Sequence, residues 1–132
     1  MTIEAELQRS LYARLSAALS APVHDIAPQD ADGGDSSLFP YVTIGRVAMT
    51  EGDTKTLTGF WAQMRIHTFS RSGAMLECKT IQGEIYTALH KSELTIYGFN
   101  NYSLLREDTD CWPEKDGKIH GVCEYRALIE SA

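Results

Sequence analysis

The densest concentration of chemistry-bearing side chains is a run of three acids, Glu107, Asp108 and Asp110. Converging carboxylates can exchange a proton in acid and base catalysis, or hold a hard cation through their oxygens. On a strand the side chains alternate, so Asp108 and Asp110 share a face and Glu107 points the other way. A lone pair carries little weight, and the expected reading is a solvated acidic strand. His67 and His120 are a second candidate, since on neighbouring strands their imidazoles can meet around a metal. No fixed ligand spacing accompanies them, and they are expected at a surface or interface. Nucleophilic catalysis needs Cys or Ser beside a His that a third group orients, yet the chain has neither a G-x-S-x-G elbow nor a cysteine-protease signature. Cys123 follows His120 by three residues, which sets them on opposite faces of a strand. Gly33-Gly34 is too short, and too acidic in its surroundings, to cradle a phosphate. No catalytic residue, metal or cofactor is expected.

The elements that must position these residues belong to one domain spanning 1–132, because 132 residues bury a real core but not two. A hydrophobic content of 43% and a charged content of 23% exclude disorder and repeat architectures. A net charge of −6 offers no basic footprint for a phosphate backbone, which argues against tight nucleic-acid binding. No window approaches the ~20 apolar residues of a membrane span, so a soluble chain without a membrane partner is expected. Nothing at the N-terminus reads as a signal peptide. The odd set Cys78, Cys111 and Cys123, without a C-x-x-C pair, reads as three core thiols made in a reducing cytoplasm.

Leu7, Leu11, Leu15 and Leu19 recur every fourth residue, predicting a helix over Glu4–Leu19 capped by Thr2 and ended before Pro22. A short strand at Val23–Ile26 follows, then a polar loop from Asp30 to Ser37, then the β-branched run Pro40–Val47. The turn-rich stretch Met49–Thr56 predicts a protruding hairpin or arm. Between Leu57 and Ser70 the residues alternate, with Phe60, Ala62, Met64, Ile66 and Thr68 facing a core. Trp61, Gln63, Arg65, His67 and Phe69 face the other way, onto an interface or a second layer. A second helix, capped by Ser70 or Ser72, runs to about His90 with Ala74, Cys78, Ile81, Ile85 and Leu89 on its apolar stripe, and Gly83 within it marks a close backbone approach. His90 suits the helix dipole and needs no further role. Leu94-Thr95-Ile96 is a short strand, and Tyr102–Trp112 and Lys118–Ile129 form a hairpin around Asp116-Gly117. The fold class is therefore α+β: a mostly antiparallel sheet with both helices on one face, in the order αβββαβββ.

Taken together, Leu11-Tyr12-Ala13-Arg14-Leu15, Phe39-Pro40-Tyr41-Val42-Thr43-Ile44-Gly45, Ile66-His67-Thr68-Phe69-Ser70-Arg71-Ser72-Gly73, His120-Gly121-Val122 and Tyr125-Arg126-Ala127-Leu128 resemble, in their order, a family of small tail-completion proteins. The family serves long-tailed bacteriophages, prophages and gene transfer agents, and was formerly a domain of unknown function. The Asp30–Ser37 loop looks longer and more acidic than the family usually shows. The resemblance implies a structural virion protein and not an enzyme: a tail terminator, or head-to-tail joining protein, made in the host cytoplasm and carried at the head-proximal end of the tail. It implies a hexameric ring that binds the last ring of the major tail tube protein, stops polymerisation, and meets the connector or head-completion protein. DNA passes through its lumen without tight binding. On this reading the arm residues Met49, Thr50, Glu51, Asp53, Lys55 and Thr56, with Trp61, Arg65 and Phe69, are candidates for the subunit or tube interface. Glu107, Asp108 and Asp110 are candidates for an acidic lumen lining. The alternatives are a head-completion or connector adaptor and, from another class, a small ligand-binding module or enzyme.

Overall fold

The computed structural model of the chain describes residues 2–28, 38–53 and 58–131. The Asp30–Ser37 loop and arm residues Thr54, Lys55 and Thr56 lie outside those residues. Helix α1 (Ile3–Ala18) starts as its sequence predicts, with the Thr2 hydroxyl accepting the Ala5 amide at 3.3 Å and Glu4 and Glu6 in the first turn. Leu7, Leu11 and Leu15 are fully buried, and Leu19 packs beside them. Arg14 on the same helix donates to the carbonyls of Ala88 at 3.1 Å and Glu93 at 2.6 Å. It thereby ties α1 to the C-terminal end of α2 (Leu76–Leu89), where backbone carbonyls lack helical partners.

Strand β1 (Val23–His24) lies parallel to the start of β2 (Tyr41–Glu51), which pairs antiparallel with β3 (Gly59–Ser70). Beyond β3 come β5 (Ile119–Ser131) and then β4 (Phe99–Pro113), both antiparallel, giving the order β1-β2-β3-β5-β4. The order of elements is the expected one, with the Leu94–Ile96 strand reduced to a single bridge, Ile96 opposite Phe99. Both helices cover one face. There Ile81, Ile85 and Leu89 of α2 and the α1 leucines meet Ala62, Met64 and Ile66 of β3 and Tyr125, Ala127 and Ile129 of β5 in one core. The β4–β5 turn forms around Gly117 at φ 91°, with the Lys118 amide donating to Asp116 Oδ1, so the Asp-Gly signal holds.

Several local expectations give way to tertiary context. Of the hairpin or arm expected from Met49 onward, the described part is hairpin: β2 runs on to Glu51, and Met49, Thr50 and Glu51 pair with Ala62, Trp61 and Phe60. A bulge between Ile44 and Val47 shifts the register and brings Met49 back against the core. Neither serine caps α2: its N-cap is Met75, without a side-chain cap, because buried Ser70 is still in β3 and donates to Glu77 Oε1 at 2.6 Å. Ala74 thus lies outside the helix and is exposed. Cys78 and Cys123 are buried thiols, whereas Cys111 is half-buried, its Sγ 3.4 Å from Met75 Sδ.

The close approach expected at Gly83 occurs instead at Gly121. A Cβ at Gly83 would meet nothing within 4 Å, whereas one at Gly121 would lie 2.5 Å from Cys78 Sγ and 2.6 Å from Gln82 Nε2. Gly121 is what lets α2 lie down on β5. Gly121→Ala should therefore destabilise the fold by about 1–3 kcal/mol through overpacking. Gly83→Ala should stabilise it by about 1 kcal/mol through helix propensity. Urea unfolding of the two variants beside the wild type checks both signs.

Candidate functional site

The second face of β3 carries Trp61, Gln63, Arg65, His67 and Phe69, as the alternation predicts, and no second layer covers it among the described residues. Opposite residues of an antiparallel pair point the same way, so Val122, Glu124, Arg126 and Leu128 of β5 join this face, with Thr50 of β2 beside Trp61. Arg65 holds Glu124 Oε1 through Nε at 3.0 Å and Nη2 at 2.8 Å. The Arg126 guanidinium stacks 4.2 Å over the Trp61 ring, whose edge rests against Gly52, where a Cβ would come within 2.9 Å. Trp61 is thus fixed in one pose. Asp53 closes the end of this hairpin by accepting the Gly59 amide at 3.0 Å.

At the other end of the face one row of rings crosses all five strands. Centroids lie 6.0 Å apart for His24 and Tyr41, 5.0 Å for Tyr41 and Phe69, 4.5 Å for Phe69 and His120, and 4.7 Å for His120 and Trp112. His67 Nδ1 lies 2.8 Å from His120 Nε2, and His120 Nδ1 lies 2.6 Å from Glu114 Oε1. The Glu114 carboxylate can only accept, so His120 carries its proton on Nδ1, and with both rings neutral its Nε2 accepts from His67 Nδ1. Burial, then the charges of His120 and Arg65, hold the His67 pKa below its ordinary 6.5. Gly45 makes room for that ring, since a Cβ there would fall 2.6 Å from it. The two histidines meet, as the sequence allowed, but the described residues contain no group of three ligands able to hold a metal. Cys123 sits on the opposite face, in the core, with its Sγ 3.4 Å from the Thr109 hydroxyl.

The acidic residues occupy the edge strand β4. Asp108 and Asp110 pair with Glu124 and Val122 and so lie on this same open face. A register shift between Arg106 and Asp108 inserts Glu107 as an extra residue, and its Oε1 comes within 3.5 Å of Gln63 Nε2. All three carboxylates therefore reach one face, which corrects the expectation that Glu107 points away; simple alternation fails at a bulge. Sequence reasoning missed the two side chains that hold this strand. Buried Gln82 donates to the Asp110 carbonyl at 2.8 Å, and His90, the C-cap of α2, accepts the Arg106 amide at 3.1 Å. Asp108 and Asp110, with Trp112, His67, His120, Val122 and the Arg65–Glu124 pair, border an open depression of about 380 Å3. The candidate interface residues Trp61, Arg65 and Phe69 and the candidate lining residues Glu107, Asp108 and Asp110 thus share a single surface; Lys55 and Thr56 lie outside the described residues.

The fold is a small α+β domain, a sheet backed on one face by two helices, whose open face carries fixed rings, ion pairs and acids. Residues 9–130 match the model of the family described as tail completion protein gp17. The chain belongs to that family, as the order of its motifs implied, and is a structural tail protein of a phage-type virion. Among solved structures, a chain in the virion of a native gene transfer agent particle has the same fold, with a TM-score of 0.81, 19% identity and 98% of each chain covered. No curated protein sequence matches the chain.

Acid should weaken this face through His67. Its folded pKa is depressed, so between that value and 6.5 the unfolded chain binds more protons, and stability present above pH 6.5 is lost as the pH falls. His67→Gln keeps a donor for His120 but does not titrate. Urea unfolding at about pH 7.5 and about pH 5.5 should show a smaller acid-induced loss in this variant than in the wild type; an equal loss would assign the effect to other groups.

Proposed function

We propose that this chain is the terminator of a long phage-type tail. Copies of it form a hexameric ring on the last ring of the major tail tube protein, stop further polymerisation, and present the opposite surface to the connector or head-completion protein of the filled head. Its work is structural and not catalytic. The observation that carries this reading is the family match over nearly the whole chain, a family whose description is completion of the tail. The likeness to a chain of an assembled gene transfer agent particle supports it. So does the open sheet face, where a Trp held between Arg126 and Gly52 has the rigidity and composition of an interface anchor.

In the ring each copy uses two different patches, one per neighbour, and closure prevents endless addition. Six copies multiply a single-chain charge of −6, so DNA leaving the head meets a repulsive passage and slides without sticking. We assign Trp61, Arg65 and Phe69, with Thr50 beside them, to contact with a neighbour or the tube. The residues that follow Asp53, including Lys55 and Thr56, are assigned to contact with a neighbour or the tube. Glu107, Asp108 and Asp110 lie on the face that carries Arg65, and we place them at the subunit boundary, where they contribute acid to the lumen only at its rim.

Electron microscopy of tails assembled with and without the protein tests the reading. Its absence should give overlong tubes that do not join heads. Normal tube length combined with failed joining would make the chain a connector adaptor instead. Trp61→Glu and Arg65→Glu should each abolish capping while leaving the monomer folded, as judged by circular dichroism. Replacement of Thr54, Lys55 and Thr56 by Gly-Ser-Gly, which leaves the Thr50 and Glu51 pairing in place, should do the same to tube binding, and unchanged capping by that variant would remove this segment from the contact.

A further inference from the structure

We infer that neighbouring copies join edge to edge through one charge contact, in which Arg46 on the β2 edge of one copy enters the acidic depression on the β4 edge of the next. This rests on the ring reading and specifies its subunit contact. The sheet has two edges. On one side β1 covers β2 only at Val42 and Thr43, so from Gly45 onward the outer side of β2 carries no strand among the described residues. That is where the bulge places Arg46, exposed and without an ion pair or hydrogen bond to any described residue. Arg46 borders a pocket of about 140 Å3 with Gln63, Arg65 and Glu124, which sets it on the open face. Arg65 already holds Glu124, so the unanswered positive charge at this edge belongs to Arg46.

The other edge is its complement. Asp108 and Asp110 are exposed, and their recorded bonds are to the amides of the residues that follow them, Thr109 at 2.9 Å and Cys111 at 2.8 Å. Glu107 reaches only Gln63, and none of the three forms an ion pair with a described residue. Trp112, 37% exposed, offers its ring in the same depression. A guanidinium there meets carboxylates and an indole face, the partners it binds best. Within its own chain Arg46 does not border this depression, which reaches across β5 to Arg65 and His67 on β3, and Asp108 and Asp110 lie three strand spacings away, about 14 Å. Receptor and donor lie on one face at opposite edges, so the contact is heterologous and repeats from copy to copy. Both edges are bulged at these very residues, Arg46 on one and Glu107 on the other, which discourages continuous strand pairing and leaves side chains to choose the neighbour.

The test is charge reversal, read by native mass spectrometry of the full chain at high concentration and by counting capped tubes after mixing with purified tail tubes. Arg46→Glu alone, and Asp108→Arg with Asp110→Arg, should each raise the concentration needed for assembly about tenfold or more. All three substitutions in one chain should restore it. So should an equimolar mixture of the two defective proteins, since copies alternating around an even-numbered ring pair every reversed edge correctly. If the wild type assembles and caps tubes while Arg46→Glu does so equally well, the contact is wrong and the ring reading stands. If defective assembly is rescued neither by combination nor by mixing, with both proteins folded by circular dichroism, the contact is also overturned. If the wild type neither self-associates nor caps tubes, both fall.

Discussion

The uninterrupted pairing of β3 with β5 is the constraint on which the rest of the molecule depends. It runs from Gly59 opposite Glu130 to Ser70 opposite Ile119 without a bulge, whereas β2 and β4, on either side, are each shifted in register. With a side-chain period of two, a slip of one residue in this central pair would send Ala62, Met64 and Ile66 into solvent and Trp61, Arg65 and His67 into the core. The core therefore enforces the register, and the register sorts every other side chain into helix-facing or open. Gly121, at the point where α2 crosses β5, adds a second condition, because the helix can seal this pair only where a strand residue has no side chain.

Where a signal depends on regular repetition, the sequence reads through to structure. The leucine ladder of α1, the alternation of β3 and the Asp116-Gly117 turn all appear in place, since each is written in residues adjacent on one element. What stayed hidden depends on a neighbour. The polar run Thr50-Glu51 becomes strand because Trp61 and Phe60 lie across from it, and no local propensity announces that. Leu94-Thr95-Ile96, apolar and β-branched, finds only one bridging partner and remains a turn-like connection. The bulges at Gly45–Arg46 and Glu107 leave no periodic trace, which is why the acidic site was legible in composition but not in direction. The Glu114–His120–His67 chain was half legible: strand adjacency allowed the two histidines to meet, while the carboxylate that orders their protons comes from the turn region and had no signal of its own.

The open face combines contacts that are individually weak. An exposed pair such as Arg65 with Glu124 contributes about 0.2–1 kcal/mol. In the proposed ring, contacts between copies on this face would repeat around the circle and act together, so modest local affinities would add to a large total.

The thiols carry one more consequence. Burial pushes the Cys78 sulfur up to about 12 and raises that of Cys123, so at neutral pH both are almost wholly in the unreactive protonated form. An exposed thiolate would be the form open to cross-linking or oxidation. The sulfurs of Cys78 and Cys123 thus serve as packing atoms shielded from electrophiles, and among the three thiols it is half-buried Cys111 that an oxidant or alkylating reagent reaches first.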